Sequence, residues 1–208
     1  STANRAILRA ALTGGFSFML RCSEYLSRGG AGWDAGKVLR GKDLMFKAEG
    51  RLLRPEEVAI ADQLTIFLRE SKTDQYNEGQ LLTHHRSDGN LPMCVVRAFR
   101  DVAMLFPERL TTEAELPFFR WEDNSPVTRD QVRKLLGTAA IRKGMPANVV
   151  NTHSLRAGGA SALYYATGGN IQVVKRLGRW ASEAFEGYLW EEASLTRGLA
   201  GAMYRAPW

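Results

Sequence analysis

Two stretches toward the C-terminal end carry the side chains best suited to act on a substrate. Thr152-His153-Ser154-Leu155-Arg156 sets an imidazole and a guanidinium three residues apart, and Leu177-Gly178-Arg179-Trp180 is followed by Tyr188. A guanidinium is a planar, permanently charged fork that matches oxyanions. An imidazole exchanges a proton near neutral pH. A phenol, with a reference pKa of about 10, is a nucleophile once its proton is drawn off. Such a set could steady charge on an anionic substrate while a proton moves. Upstream, Leu20-Arg21-Cys22-Ser23-Glu24-Tyr25-Leu26 adds a further arginine with an acid three residues later, and Ser71-Lys72-Thr73-Asp74-Gln75 adds a lysine among polar residues.

Taken singly, each residue has a plainer reading. Arg21 and Glu24 fit a surface ion pair at i,i+3 spacing. Lys72 fits a solvated loop. His153 could open a helix with Ser154 as N-cap. Trp180 and Tyr188 fit a core stripe, since isolated aromatic residues more often pack than react.

The elements that must hold these residues read as follows. Apolar spacing predicts helices over Ala3–Leu12 and Phe18–Leu26, with a break at Gly14-Gly15. From Lys37 to about Arg86 short alternating runs predict a small antiparallel sheet, in which 64–68 and 81–83 flank a long polar hairpin over 70–79. Pro92 suits a helix start, and Cys94, Val95, Phe99, Val102 and Leu105 give that helix a buried stripe. Thr128 and Gln131 stand in capping-box spacing ahead of Val132, Leu135 and Leu136. Further helices are expected over 154–166, 170–177, 182–190 and after Glu192. Gly158 and Gly159 fall inside one of them, where close helix packing or close approach of the backbone to a bound partner would explain them. Tyr164 and Tyr165 should divide between core and surface. The fold class expected is mostly α with one small antiparallel sheet.

With 208 residues, 45% of them hydrophobic, the chain is sized for one domain with a substantial core. No apolar run approaches the roughly 18 residues of a membrane span, and no signal-type segment opens the chain. Cys22 and Cys94 give neither a disulfide framework nor a metal cluster, which fits a reducing intracellular setting. His84 and His85, on successive strand positions, face opposite ways and make a poor metal site. The formal charge of +6 is uneven: between Arg120 and Trp180 ten basic residues meet three acidic ones, a surplus of seven. That is the pattern a phosphate backbone selects, although a solvated basic surface would give it too.

His153-x-x-Arg156, then Leu177-Gly178-Arg179-Trp180, then Tyr188 resembles the C-terminal signature of tyrosine recombinases, also called phage-type integrases. The Gly-Arg-Trp variant looks most like recombinases of eukaryotic mobile elements. The resemblance extends upstream, where Arg21 with Glu24 and Lys72 in a hairpin answer the family's early arginine and hairpin lysine in the right order. It implies a tyrosine recombinase or type IB topoisomerase-like catalytic domain spanning residues 1–208, without the N-terminal DNA-clamping domain usual in the family, as in an excised domain or a truncated relative.

The resemblance also implies the roles. Arg21 and Arg156 would clamp the non-bridging phosphate oxygens, where negative charge gathers in the transition state. Tyr188 would attack to form a 3′-phosphotyrosine, storing the bond energy so that no cofactor, ATP or metal is called for. His153 would assist proton removal, Lys72 would protonate the departing 5′-oxygen, and Trp180 would donate its indole N–H and wall the pocket. Glu24 would support Arg21. The expected partner is double-stranded DNA, bound by a homo-tetramer across two duplexes with the apolar-rich segment after Tyr188 docking on a neighbour. The setting would be nuclear in a eukaryote and nucleoid-associated in a bacterium. A topoisomerase-like or telomere-resolving enzyme, or a catalytically silent DNA-binding module of the same ancestry, are the competing functions.

Overall fold

The computed structural model describes residues 1–29, 32–69, 79–89 and 92–180, together with Ser182, Glu186, Gly187 and Leu189. Its axis is α1, Thr2–Ser17, capped by the Ser1 side chain, which accepts from the Asn4 N–H. The Gly14-Gly15 pair does not break this helix. Both glycines lie inside it because neighbours press on its surface: a Cβ on Gly14 would meet the Phe99 ring at 2.9 Å, and one on Gly15 the Tyr25 hydroxyl at 2.5 Å.

The predicted helix over 18–26 is likewise absent except for one turn, α2, Cys22–Tyr25. Phe18–Arg21 is instead a bend built by the end of α1. Leu20 N–H bonds back to Gly15 O and Met19 N–H to Phe16 O, the paired bonds of a Schellman termination. The left-handed position of that motif is held by Met19, φ 48°, where glycine is usual.

The sheet follows expectation. Strands β1 (Leu44–Ala48), β2 (Arg51–Leu52), β3 (Gln63–Leu68) and β4 (Gln80–His85) pair antiparallel in the order β2-β1-β3-β4. Leu44, Phe46, Leu64, Ile66, Leu68 and Leu82 turn one face into the core. His84, on β4, bonds through Nε2 to Ser17 O at 2.8 Å and sets its ring edge-on to Phe18, 4.7 Å between centroids. Since a carbonyl only accepts, Nε2 carries the proton, and the contact fastens the sheet to the end of α1.

Helix α3, Val95–Leu105, starts three residues later than Pro92, with Cys94 at its N-cap. It packs on α1 across a cluster of Phe18, Phe99, Phe118 and Phe119. Helix α4, Arg129–Arg142, opens with the expected capping box: Thr128 Oγ1 accepts from Gln131 N–H, and Gln131 Oε1 accepts from Thr128 N–H. Helix α5, Thr152–Ala166, lies against α1, and α6, Ile171–Gly178, against α5. Gly159 makes the α1–α5 approach possible, since a Cβ there would fall 2.1 Å from Phe16 O. Tyr164 and Tyr165 are both half-buried and meet edge-on. Cys22 and Cys94 are free thiols. Among the described residues no helix is long and apolar enough to cross a membrane. Of the helix expected over 182–190 only Ser182, Glu186, Gly187 and Leu189 are among the described residues, and the one expected after Glu192 lies outside them.

Candidate active site

The bend at Phe18-Met19-Leu20 is where separate parts of the chain meet. Arg21 follows it directly and serves as N-cap of α2. Glu24, one turn on, accepts from the Arg21 backbone N–H at 2.7 Å through Oε2 and from Arg21 Nη1 at 3.0 Å through Oε1. The i,i+3 pair read from the sequence is therefore present, but it is no surface pair: the Glu24 side chain is 4% exposed and that of Arg21 25%. A buried carboxylate held this way fixes the direction of the arginine beside it.

Arg156 comes from the first turns of α5 and is buried. Its Nη1 donates to Met19 O and its Nη2 to Gly178 O, the latter at 2.6 Å, so its plane is set between the bend and the end of α6. The Trp180 ring lies against the same guanidinium, 4.1 Å from ring centroid to Cζ, a cation–π contact that orders both. Gly178 permits it: a Cβ there would fall 1.5 Å from the Trp180 ring.

His153 sits on the exposed side of α5 one turn before Arg156. The cap of this helix is not Ser154 but Asn151, whose Oδ1 accepts from the His153 N–H at 2.8 Å while Ser154 Oγ accepts from the Asn151 N–H at 3.1 Å. Partial burial, and then the nearby Arg156 charge, pull the His153 pKa below the usual imidazole value. Both effects favour the neutral ring, the form that can accept a proton.

The bend thus gathers Arg21, Glu24, Arg156 and Trp180, with His153 on the Arg156 helix. Lys72, in the stretch between β3 and β4, and Tyr188 lie outside the described residues. Of the other tyrosines, Tyr25 is buried beneath Gly15, and desolvation pushes its phenol pKa further up, away from what a nucleophile needs.

One residue of this site was not singled out from the sequence. Arg179 takes the left-handed position after α6, φ 60°, in a second Schellman termination: Trp180 N–H bonds to Lys175 O and Arg179 N–H to Arg176 O. Its side chain, 1% exposed, runs to the same bend. It donates to Phe18 O at 3.1 Å, to Met19 O at 3.2 Å and to Glu24 Oε2 at 2.8 Å. Burial lowers its pKa, an effect that Glu24 opposes. Composition could not reveal this, because it counts every basic residue as surface charge. Arg120, Arg156 and Arg179, three of the ten counted in the basic stretch, are in fact buried. Among the described residues no group of three or more His, Cys, Asp or Glu could hold a metal ion.

No protein-family model matches the chain, and no curated protein matches it in sequence. Solved structures do match in shape. The site-specific recombinase XerH bound to a palindromic difH substrate, a post-cleavage complex, superposes with TM-score 0.65 at 14% identity over 99% of this chain and 48% of that one. The XerH–difH pre-cleavage complex gives 0.61 at 14% identity over 100% and 49%. The fold is that of a tyrosine recombinase catalytic domain. The chain spans about half the length of the XerH chain. At this identity the likeness concerns fold, and the chemistry must be argued from the site.

Proposed function

We propose that this chain is the catalytic domain of a site-specific DNA recombinase or integrase that cuts and rejoins DNA through a 3′-phosphotyrosine at Tyr188. The observation that carries the reading is the meeting of Arg21, Arg156 and Trp180 at one buried bend, from positions far apart in sequence, with the His153 helix alongside. A surface arginine, a helix-opening histidine and a packing tryptophan would have no reason to converge.

In this reading a DNA phosphate lies against Arg21 and Arg156, whose planes are already set by Glu24 and by backbone carbonyls. Charge growing on the non-bridging oxygens then meets fixed donors, with little reorganisation during the reaction. Tyr188 attacks phosphorus, His153 in its neutral form accepts the phenolic proton, and Lys72 protonates the 5′-oxygen as it leaves. Rejoining runs the same steps backward, with the 5′-hydroxyl attacking and the tyrosine departing. Trp180 holds Arg156 in place and donates its indole N–H toward the phosphate. Double-stranded DNA is the substrate, a homo-tetramer the working assembly, and the setting intracellular and DNA-associated. The Gly-Arg-Trp sequence supports kinship with recombinases of eukaryotic mobile elements.

The test uses negatively supercoiled plasmid and nicked duplex oligonucleotides in EDTA, with wild type, Tyr188→Phe and Arg156→Lys. The expected result is relaxed plasmid and SDS-resistant adducts from wild type, none from Tyr188→Phe, and about a 100-fold or greater loss for Arg156→Lys, the scale of one lost oxyanion donor. Relaxation by a monomer that never pairs two duplexes would favour the topoisomerase-like reading. DNA binding with no adduct from wild type would favour the silent module.

A further inference from the structure

Resting on the recombinase reading, we propose that Arg179 is a positioning residue of the cleavage reaction: through Glu24 it orders Arg21, and it locks together the two bends from which Arg21 and Trp180 project.

The geometry has three parts. First, Glu24 offers one oxygen to the Arg21 guanidinium and shares the other between the Arg21 backbone N–H and Arg179 Nη2. Without Arg179, one of the three hydrogen bonds to that carboxylate disappears, the one that comes from outside its own turn, and the direction of Arg21 is less firmly fixed. One carboxylate answering two guanidiniums also leaves surplus positive charge, as a phosphate site requires. Second, Arg179 and Arg156 both donate to Met19 O. The carbonyl that fixes the plane of Arg156 is thus itself held by Arg179. Third, Met19 and Arg179 each occupy the left-handed position of a helix termination without being glycine. Such conformations are strained for a residue with a side chain and persist where surroundings over-determine them. Here each termination supports the other: the Arg179 side chain bonds the carbonyls of the first bend, and Gly178 O at the second receives Arg156.

In this reading Arg179 acts through the groups it bonds, Phe18 O, Met19 O and Glu24, and not on the phosphate itself. Its loss should therefore appear in the chemical step and not in DNA affinity, unlike the loss of a phosphate contact.

The experiment takes the full chain as wild type, Arg179→Met, Arg179→Lys, Arg21→Ala and Arg21→Ala/Arg179→Met. Single-turnover adduct formation on nicked duplex oligonucleotides is measured at saturating DNA, beside DNA affinity by anisotropy. The Nε–Hε resonance of Arg21, assigned by its disappearance in Arg21→Ala, is recorded by NMR. Arg179→Met should slow adduct formation by about 10- to 100-fold, the scale of a misplaced catalytic group, and change affinity by less than about threefold. Arg179→Lys, which keeps charge at Glu24 but loses the fork, should fall between. Adding Arg179→Met to Arg21→Ala should cost clearly less than the product of the two single losses, because part of the Arg179 effect passes through Arg21. The Arg21 resonance should lose its dispersion and exchange faster with water in Arg179→Met.

Multiplicative losses in the double variant, or a loss confined to affinity, would overturn the proposal. If Arg179→Met fails to fold, Arg179→Lys carries the same comparisons. If wild type forms no adduct, the recombinase reading falls, and the resonance still decides the positioning: a shift upholds the coupling of Arg179 to Arg21, and no shift refutes it.

Discussion

Two adjacent glycines of α5 should respond to the same substitution with opposite sign. A Cβ on Gly158 would lie 3.3 Å from Cε2 of Phe16, a ring edge able to give by a few tenths of an ångström. A Cβ on Gly159 would lie 2.1 Å from the Phe16 carbonyl oxygen, so α5 would have to retreat by about 0.9 Å to reach the 3.0 Å floor for such contacts. That carbonyl is not free to yield, since it receives the Met19 N–H that closes α1. Replacing glycine by alanine inside a helix gains about 1 kcal/mol, whereas forcing a methyl group into a filled interface costs about 1–3 kcal/mol. With backbone as the obstacle the upper end applies. Gly159→Ala should therefore destabilise by about 2 kcal/mol, and Gly158→Ala should be neutral or stabilise by up to about 1 kcal/mol. In a domain of about 200 residues each kcal/mol moves Tm by roughly 2–4 °C, separating the variants by about 4–12 °C. Urea unfolding followed by tryptophan fluorescence and by far-UV circular dichroism measures the pair. Equal stability, or a Gly159→Ala protein more stable than Gly158→Ala, would refute the close α1–α5 packing that brings Arg156 to Met19.

Gly178→Ala would drive the Trp180 ring off Arg156, and a displacement of about 1 Å at a reacting group can cost about 100-fold; adduct formation should fall by that order, and an unchanged rate would dissociate the stack from function. Arg109 is buried and donates to the carbonyls of Phe118, Arg120 and Trp121. Phe118 O keeps the Arg120 N–H and Trp121 O the Asn124 N–H, so Arg109→Met would strand Arg120 O at about 1–3 kcal/mol, and denaturant unfolding should show a loss of that size. Burial lowers the pKa of His84, so the folded state favours the neutral ring. Its contribution is complete above the unfolded value of about 6.5 and is lost as pH falls through the depressed folded pKa. Between pH 7 and 5 wild type should lose more stability than His84→Gln, and parallel pH profiles would show that His84 plays no such part.

What could be read from the sequence was local. The Thr128/Gln131 capping box, the β3–β4 hairpin and the helices around Arg156 and Lys175 announce themselves within a few residues, and all stand where expected. The Gly14-Gly15 pair misled because its cause is distant: Phe99 and Tyr25 press on α1, and nothing near the glycines distinguishes that from a break. The helix over 18–26 failed because the Schellman termination at Met19 lacks the glycine that usually marks one. Arg179 was hidden for a related reason, since its pairing with Glu24 spans 155 residues and its left-handed backbone carries no glycine signal. The structure brings Arg21, Glu24, Arg156 and Trp180 to one bend, and the sequence singles them out only as a set, by order and spacing, where each alone reads as ordinary packing or surface charge.

In the proposed reaction Tyr188 becomes joined to a DNA 3′-phosphate. A nicked duplex oligonucleotide labelled on the strand upstream of the cut, incubated with wild-type protein in EDTA and digested with trypsin, gives a nucleotide-linked peptide for mass spectrometry. The expected product is a phosphodiester on Tyr188, carried by the 3′ end of the DNA. Attachment at another residue, or at a 5′ end, would contradict it.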